Sequence, residues 1–220
     1  MAYQFAQAPS HSYLRTANAP AFPDELAISL WFKAADVTNH HTLLRVEYDD
    51  PDNNRIMIQA RGDVSGDPVR FVSQNENTQY SVDSTTSYTA NVWQHVLVAT
   101  GLSAGNMWIS LNGAAWVSKG SVKPPNGDPS YIQISGDNVF IPSIIGSIAE
   151  VAMWKALDPY VEFDPQDRGK PLTQGFSPML IHRKPVFYAP LIRELQDLVG
   201  GNHLTAYNSP AVSEHPPVIG

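Results

Sequence analysis

The sequence predicts an all-β sandwich of two antiparallel sheets, and three observations lead to that fold class. Short runs alternate apolar and polar residues, as in 27–34, where Ile28, Leu30 and Phe32 occupy every second position. Turns rich in Gly, Asn, Asp and Pro separate the runs at the roughly eight-to-twelve-residue spacing typical of sandwiches. Helical periodicity is nearly absent before residue 155, so packed strands must supply the core.

Successive runs before residue 155 are predicted strands. In chain order they are 27–34, 42–48, 55–60, 69–74, 79–84, 93–100, 107–113, 114–120, 130–136 and 147–154. Asn112 and Gly113 are predicted to close a tight turn, because both residue types accept the positive φ that a type I′ hairpin loop needs.

Composition changes after residue 157, which divides the chain into four predicted parts. Residues 1–157 form the sandwich domain. Residues 158–185 are rich in proline and charge and are predicted to be a linker with one short helix near 177–181. Residues 186–197 are predicted to return to the sandwich as a strand, and 198–220 to form an extended C-terminal tail, since they are rich in proline and lack periodicity.

The composition excludes several classes of function. The 220 residues carry a formal net charge of -7 and no Lys/Arg cluster, which argues against a nucleic-acid partner. No cysteine is present, so disulfides, thiolate nucleophiles and cysteine-based zinc sites are excluded. No apolar run is long enough to insert into a membrane. The N-terminus lacks the basic and apolar regions of a signal peptide, so we expect synthesis in the cytoplasm and release by lysis.

Four stretches, taken in order, resemble the concanavalin A-like jelly rolls of the laminin-G type. "LAISLWFKA" is similar to the family's first long strand, "WQHVLVATGLSAGNMWISLNG" to its central strands, and "GSIAEVAMWKAL" to its closing strand. "YQFAQAPSHSYLRTANAP" stands in the place of the family's opening. The resemblance covers about residues 3–157 and implies a jelly roll with a proline-rich C-terminal extension. It specifies architecture more than activity.

Catalytic chemistry is not supported by the residues. Glycosidases of this shape use two carboxylates that flank the scissile bond, and the E-x-D-x-x-E pattern of the endoglucanase relatives is absent. Glu150 matches an acid of the family's closing strand, but Ala149 replaces the preceding Asp, so Glu150 is expected to bond at a turn or strand edge. His95 matches a structural position of the family. We expect a non-enzymatic protein, with a glycoside hydrolase as the least favoured alternative.

The acidic turn at 48–55 is the candidate metal site. Laminin-G domains often hold Ca²⁺ with loop carboxylates and carbonyls, so the resemblance implies ligands among Asp49, Asp50, Asp52 and Asn54. Closely spaced carboxylates repel each other unless a cation or a basic partner offsets them. The alternative is a solvated hairpin tip, where Asp, Asn and Pro are favoured by turn chemistry alone. No other cofactor is expected.

Sugar binding needs an aromatic platform surrounded by hydrogen-bonding side chains. Two tryptophans flank the turn at residues 112–113, and a polar hairpin at 71–81 is rich in Asn and Gln. The candidate glycan-binding residues are therefore Trp108, Trp116, Asn75, Asn77 and Gln79. The alternative interpretation of the hairpin is that it only confers solubility.

The region after residue 165 resembles the C-terminal continuation of laminin-G-like proteins of tailed bacteriophages, which are typically virion surface proteins. The matching features are Ser177–Pro178, "VFYAPL", Asp197, Gly200–Gly201 and His215–Pro216. The favoured hypothesis is a non-enzymatic bacteriophage virion surface protein, a head decoration or fibre component, with a glycan-binding role. Its expected partners are capsid or fibre subunits, further copies of itself in a homo-oligomer, and cell-surface or mucus glycans. The alternative is a stand-alone calcium-dependent, lectin-like module.

Overall fold

A computed structural model describes residues 2–6, 11–20, 25–49, 54–101, 105–136, 142–156, 158–192 and 194–217. Within them the chain forms two antiparallel sheets, of eight and seven strands, packed face to face. This arrangement confirms the predicted all-β, concanavalin A-like jelly-roll sandwich.

The strands and the few helical turns follow one another along the chain. The strands are β1 (Ala2–Phe5), β2 (Tyr13–Thr16), β3 (Glu25–Ala34), β4 (His40–Tyr48), β5 (Asn54–Arg61), β6 (Pro68–Asn75), β7 (Thr78–Ser87), β8 (Gln94–Gly101), β9 (Asn106–Leu111), β10 (Val117–Gly120), β11 (Pro129–Ile134), β12 (Gly146–Lys155), β13 (Phe187–Ala189), β14 (Leu204–Tyr207) and β15 (Ala211–Ser213). The helical turns are α1 (Pro159–Glu162), α2 (Lys170–Thr173) and a 3₁₀ turn (Pro178–Leu180).

Strand order brings distant parts of the chain together. The eight-stranded sheet runs β10-β9-β8-β3-β12-β1-β15, with β13 also paired to β12. The seven-stranded sheet runs β14-β2-β11-β4-β5-β6-β7. The last two strands of the chain therefore lie beside the first two, β14 next to β2 and β15 next to β1.

The main core lies between the two sheets. Ile28, Leu30 and Phe32 on β3 and Val96 and Val98 on β8 are all fully buried in it. They occupy alternate positions because successive side chains of a strand point to opposite faces. Each buried side chain of this size contributes roughly 1.5–3 kcal/mol, so the sandwich core supplies most of the apolar stabilisation.

The predicted turn after β9 and the predicted structural histidine meet at one end of β8. Asn112 and Gly113 both have positive φ, 53° and 77°, as the sequence predicts. Asn112 Oδ1 accepts a hydrogen bond from the His95 backbone N–H at 2.9 Å. The imidazole of His95 contacts Ser29 Oγ at 2.7 Å, and burial lowers its pKa to about 3. A buried, neutral histidine held by a serine fits a structural role.

Residues 158–199 cover the outer face of the eight-stranded sheet and build a second, smaller core. The rings of Trp154 and Phe163 lie 5.1 Å apart, and Trp154 Nε1 donates to the Arg183 carbonyl at 2.9 Å. Leu172 and Tyr188 complete this cluster. The segment predicted as a linker thus packs closely on the sheet, and its predicted short helix near 177–181 corresponds to the 3₁₀ turn.

The predicted returning strand at 186–197 is shorter in the structure. Its paired part is β13, because Pro190 has no N–H to donate and Leu191 adopts a left-handed φ of 60°. The Pro190 carbonyl instead accepts from the backbone N–H of Glu150 at 3.2 Å.

The carboxylate of Asp197 folds the chain that follows β13. Asp197 is buried, and Oδ1 accepts from the backbone N–H groups of Tyr188 at 2.9 Å and Val199 at 3.0 Å. Oδ2 accepts from those of Gly200 and Asn202, both at 3.0 Å. Four backbone donors are thus satisfied by one side chain, which holds β13 against the turn at 198–202.

Glu150, expected at a turn or strand edge, lies buried in a β-bulge of β12 with a left-handed φ of 54°. Its Oε2 accepts from the Tyr188 hydroxyl at 2.6 Å, and its Oε1 pairs with His215 Nε2 at 2.9 Å. The bulge therefore aims one carboxylate at both the returning strand and the tail, and Glu150 serves as an anchor.

The predicted tail at 198–220 adds an edge strand to each sheet. Between β14 and β15, Asn208 and Ser209 adopt left-handed φ values of 55° and 51° and carry the chain from one sheet to the other. Asn208 Nδ2 donates to the His11 carbonyl at 2.7 Å, which fixes this crossing beside β2. We call residues 204–213 the strap.

Candidate functional site

The outer face of the seven-stranded sheet carries polar and aromatic side chains; we call it the polar face. Strand alternation places Leu14, Val46, Ile56 and Ile132 in the core and their sequence neighbours on the outside. The side chains of the polar face are Tyr13, Arg15, Arg45, Glu47, Arg55, Met57, Gln59, Arg61, Arg70, Val72, Gln74, Gln79, Ser81, Asp83, Tyr131, Gln133, Thr205 and Tyr207.

One half of the polar face is an aromatic stack with a guanidinium group. The rings of Tyr13 and Tyr207 are stacked, with centroids 4.6 Å apart and an interplanar angle of 11°. The Arg15 guanidinium carbon lies 4.4 Å from the Tyr131 ring centroid and 5.0 Å from that of Tyr13. Tyr207 is 40% exposed, so this stack offers ring surface to a ligand. The strap supplies Tyr207, and the stack is therefore incomplete without it.

Gln133 organises the centre of the polar face. Its Oε1 accepts from Arg15 Nε at 2.9 Å and from Arg45 Nη2 at 3.1 Å, while its Nε2 donates to the Ser135 carbonyl at 3.1 Å. Arg45 also pairs with buried Glu47 at 2.6 Å. Because each side chain is held by another, the donors and rings are fixed before a ligand arrives, which lowers the entropy cost of binding.

The other half of the polar face is built from arginines on β5 and β6. Arg55 Nε donates to Gln74 Oε1 at 3.0 Å, and Arg70 makes two hydrogen bonds to Asp83 at 2.7 and 2.8 Å. The bond to Asp83 raises the pKa of Arg70. Arg61 pairs in the same way with Asp63, and this bond lowers the pKa of Asp63.

The geometry suits recognition of a polyhydroxylated ligand. Flat rings, guanidinium donors and carboxamides converge on one sheet face, which is the combination that sugar binding uses. Glu47 is engaged by Arg45, and Glu150 lies on the outer face of the other sheet. These two buried carboxylates are on opposite sides of the sandwich, so they cannot flank one glycosidic bond.

The two tryptophans predicted to bind glycans lie on the outer face of the eight-stranded sheet, beneath the α1 segment. Trp108 contacts the Tyr160 ring at 5.6 Å between centroids, and Trp116 Nε1 donates to the Tyr160 carbonyl at 3.2 Å. Both are partly buried, and Trp116 packs against the second core. The structure therefore separates them from the predicted polar hairpin on the other sheet.

The predicted hairpin residues divide between two roles. Gln79 pairs across the sheet with Gln74 and stands at the edge of the polar face. Asn75 Nδ2 instead donates to the Pro124 carbonyl and to Asn126 Oδ1, which ties β6 to a neighbouring loop. Asn77 is exposed in the turn between β6 and β7.

The acidic turn predicted to hold Ca²⁺ is only partly described. Asp50 and Asp52 lie outside the described residues. Asn54 is buried, and its Oδ1 accepts from the backbone N–H groups of Glu76 at 3.3 Å and Asn126 at 3.0 Å, which occupies both lone pairs. Asp49 accepts from the Asp128 backbone N–H at 3.3 Å and contacts Ser130 Oγ at 3.5 Å. As a calcium ligand Asn54 does not fit, because its oxygen already binds two loops together.

No group of three or more His, Asp or Glu side chains within the described ranges is arranged to hold a metal ion. In the same part of the chain, no helix has the length and apolar character needed to cross a bilayer.

Most of the polar face was not predicted as a site from the sequence. The signal is present in β2, β4, β5 and β11, where Tyr or Arg alternates with core residues, as in "YLR" at 13–15. Alternation shows that these side chains point outward, but only the sheet order shows that they point to one surface. Tyr207 follows Tyr13 by most of the chain length, and no local pattern joins them.

Two antiparallel sheets packed face to face, with the strand order given above, define a jelly-roll sandwich. The chain belongs to the Concanavalin A-like lectin/glucanases superfamily, whose laminin-G-type model matches residues 8–157. No curated protein matches the chain.

Solved structures share the fold at low sequence identity. A native heptameric SAP-like pentraxin from Limulus polyphemus has a TM-score of 0.65 at 13% identity, over 97% of this chain and 94% of that one. Domain 4 of AbnA, a GH43 extracellular arabinanase from Geobacillus stearothermophilus in complex with arabinotriose, has a TM-score of 0.56 at 18% identity, over 70% and 75%. Mouse laminin alpha1 chain domains LG4-5 have a TM-score of 0.56 at 13% identity, over 69% and 41%.

Proposed function

We propose that this protein binds glycans without cleaving them and that the polar face is the binding surface. The observation that carries the proposal is the stack of Tyr13, Tyr207 and Arg15 over Tyr131, held in place by Gln133. Sugar rings pack their C–H faces on such aromatic surfaces, and guanidinium and amide groups donate to their hydroxyls. The arabinotriose-bound relative supports a carbohydrate ligand for this fold.

The absence of catalysis is part of the proposal. It is supported by Glu47 and Glu150, which are bound to Arg45 and to Tyr188 with His215, and which lie on opposite sides of the sandwich. A retaining or inverting glycosidase needs two carboxyl groups roughly 5–10 Å apart across one bond. Incubation with a bound oligosaccharide should therefore release no reducing ends; release of reducing ends would contradict this part.

The test of glycan binding is an array screen of the full chain and two variants. Tyr207→Ala removes an exposed ring from the polar face and should weaken binding about tenfold or more. Tyr160→Ala is the matched control, because Tyr160 is similarly exposed, at 45%, but covers the other sheet. Wild-type binding that falls only in Tyr207→Ala supports the proposal. Equal loss in both variants, or no binding at all, contradicts it.

Calcium-dependent recognition by a stand-alone module is the alternative form of this function. The array is therefore run with Ca²⁺ and again with EDTA. Binding through the polar face should survive chelation, since its donors are arginines, amides and tyrosines. Binding lost on chelation would favour the calcium-dependent alternative and direct mutation to Asp49, Asp50 and Asp52.

We place this activity on the surface of a bacteriophage virion, as a head decoration or fibre component that works as an oligomer. Support comes from the resemblance of the C-terminal region to phage proteins and from exposed apolar side chains on that region, such as Leu180 at 62% and Leu198 at 53%. Mass spectrometry of purified particles should recover the chain with shell or fibre subunits. Its absence from particles would refute this setting and leave glycan binding intact.

A further inference from the structure

We propose that the glycan bound by the polar face is acidic, with carboxylate or sulfate groups, and that Arg55 receives one of these groups. This inference rests on the proposed function, because it names the ligand class of the same face. It arises from the partners of the arginines, which differ along the sheet.

Arg55 differs in its partner from three other arginines of the polar face. In those three the guanidinium group is paired with a carboxylate of the protein. These pairs are Arg45 with Glu47, Arg61 with Asp63 and Arg70 with Asp83. Arg55 instead donates to a carboxamide oxygen, that of Gln74. A carboxamide orients a guanidinium group without neutralising it.

Arg55 is held in a way that leaves its charged end available. Gln74 Oε1 accepts from Nε of Arg55 at 3.0 Å, and Gln74 Nε2 donates to the Glu76 carbonyl at 3.1 Å, which directs the oxygen toward Arg55. Glu47 is the cross-strand neighbour of Arg55, but its carboxylate is paired with Arg45 at 2.6 Å. Within the described ranges, no carboxylate forms an ion pair with Arg55.

A guanidinium group in this position favours an anionic ligand. It is half-buried, so its charge is incompletely solvated, and its two terminal nitrogens match the two oxygens of a carboxylate or sulfate. The whole chain carries -7, so a local basic site is needed to attract an acidic polymer to it. Neutral sugars would gain only ordinary hydrogen bonds from Arg55.

The spacing between the aromatic stack and Arg55 indicates an oligosaccharide rather than a single sugar. Arg15 lies beside the stack on β2, with β11 and β4 between it and β5, and the register places Met57 rather than Arg55 in line with Arg15. Three strand spacings and two residues along β5 separate Arg15 from Arg55 by about 16 Å. An extended acidic glycan can therefore stack on Tyr207 and Tyr13, pass over Gln133 and reach Arg55.

The test compares charged ligands with neutral versions of themselves by isothermal titration calorimetry on the full chain. One pair is an oligogalacturonate and its methyl ester; the other is a sulfated heparin oligosaccharide and its desulfated form. At least one charged member should bind about tenfold or more tightly than its neutral counterpart. The two pairs distinguish carboxylate from sulfate recognition.

Arg55→Gln should abolish that difference, and it should weaken binding of the neutral form only slightly, because the neutral form loses ordinary hydrogen bonds alone. Arg61→Gln is the matched control, because Arg61 is on the same strand and face but is neutralised by Asp63. Arg55→Lys keeps the positive charge but loses the two terminal guanidinium nitrogens that match the two oxygens of the ligand. This variant should therefore bind the charged form several-fold more weakly than the wild type does. Circular dichroism melts of each variant show whether it is folded.

The outcomes separate this inference from the proposed function. A charge preference lost in Arg55→Gln and kept in Arg61→Gln supports it. Equal binding of charged and neutral forms overturns the inference and leaves glycan binding standing. Equal weakening by Arg55→Gln and Arg61→Gln also overturns it, because the effect then comes from overall charge. Binding of no glycan on the array or in the calorimeter overturns both.

Discussion

Asp197→Asn is expected to destabilise the C-terminal half of the molecule strongly, although it changes only one side-chain atom. The Asp197 carboxylate uses both oxygens, each accepting two backbone N–H groups of the chain around β13. Asparagine has one oxygen and presents an NH₂ group in place of the other. Whichever way the amide is turned, two backbone N–H groups then face a donor.

The magnitude follows from those two lost partners. A buried donor left unsatisfied costs about 1–3 kcal/mol, and hydrogen bonds to a charged acceptor are stronger than neutral ones. Asp197 is only 3% exposed, so water cannot replace the missing acceptor. Two orphaned donors therefore lower the free energy of unfolding by about 2–6 kcal/mol. The loss should also loosen the strap, because the Leu204 N–H bonds to Leu195, two residues before Asp197.

Urea denaturation at neutral pH measures this change, with tryptophan fluorescence and circular dichroism as parallel probes. Asp158→Asn is the control, because its Oδ1 accepts a single backbone N–H, that of Val161 at 3.3 Å, at an exposed helix start. It should cost about 1 kcal/mol or less. If Asp197→Asn costs no more than this control, the argument that Asp197 holds four backbone donors is refuted.

Three further predictions concern stability. Burial lowers the pKa of His95 to about 3 in the folded protein, whereas the same imidazole has a pKa near 6.5 in the unfolded chain. Between these two pH values the unfolded state therefore binds a proton that the folded state does not. Stability should then fall as pH drops from about 6.5 toward 3, by about 2 kcal/mol at pH 5, and equal urea midpoints at pH 7 and pH 5 would contradict this. Gly146→Ala places a Cβ 2.1 Å from a backbone oxygen of β3 and should cost more than about 3 kcal/mol in thermal or urea melts, whereas Gly66→Ala, with open space around it, should cost about 1 kcal/mol. Glu150→Gln removes the ion pair with His215 and should cost about 1–3 kcal/mol, and native trypsin digestion should then cleave the tail faster than in the wild type.

Much of the sandwich can be predicted from local sequence, because its long strands alternate clearly. The predicted strand at 27–34 corresponds to β3, and that at 147–154 to β12, each within two residues at either end. Core-facing and outward-facing residues alternate along these strands because one face of the sheet packs on a continuous core. Residues 186–197 follow the same apolar pattern only at their start, and Pro190 with left-handed Leu191 ends the pairing after Ala189.

The candidate site was harder to predict from the sequence than the fold, because its residues are brought together only by the pairing and register of strands that are far apart in the chain. Gln79 was predicted as a ligand residue and stands at the edge of the polar face, whereas Trp108 and Trp116 face Tyr160 on the other sheet. A tryptophan beside a turn indicates a platform only if nothing covers it. The covering segment is far along the chain, and its position depends on packing that no local pattern reports.

The strap also determines what happens when copies of this protein are crowded. Without residues 204–213, β1 and β2 would become the outermost strands of their sheets and present unpaired N–H and C=O groups. Such edges readily pair with strands of other molecules. The strap pairs with those groups and itself becomes the outermost strand of each sheet, as β14 and β15. The segment that completes the ligand surface therefore also closes β1 and β2 to strands of other molecules.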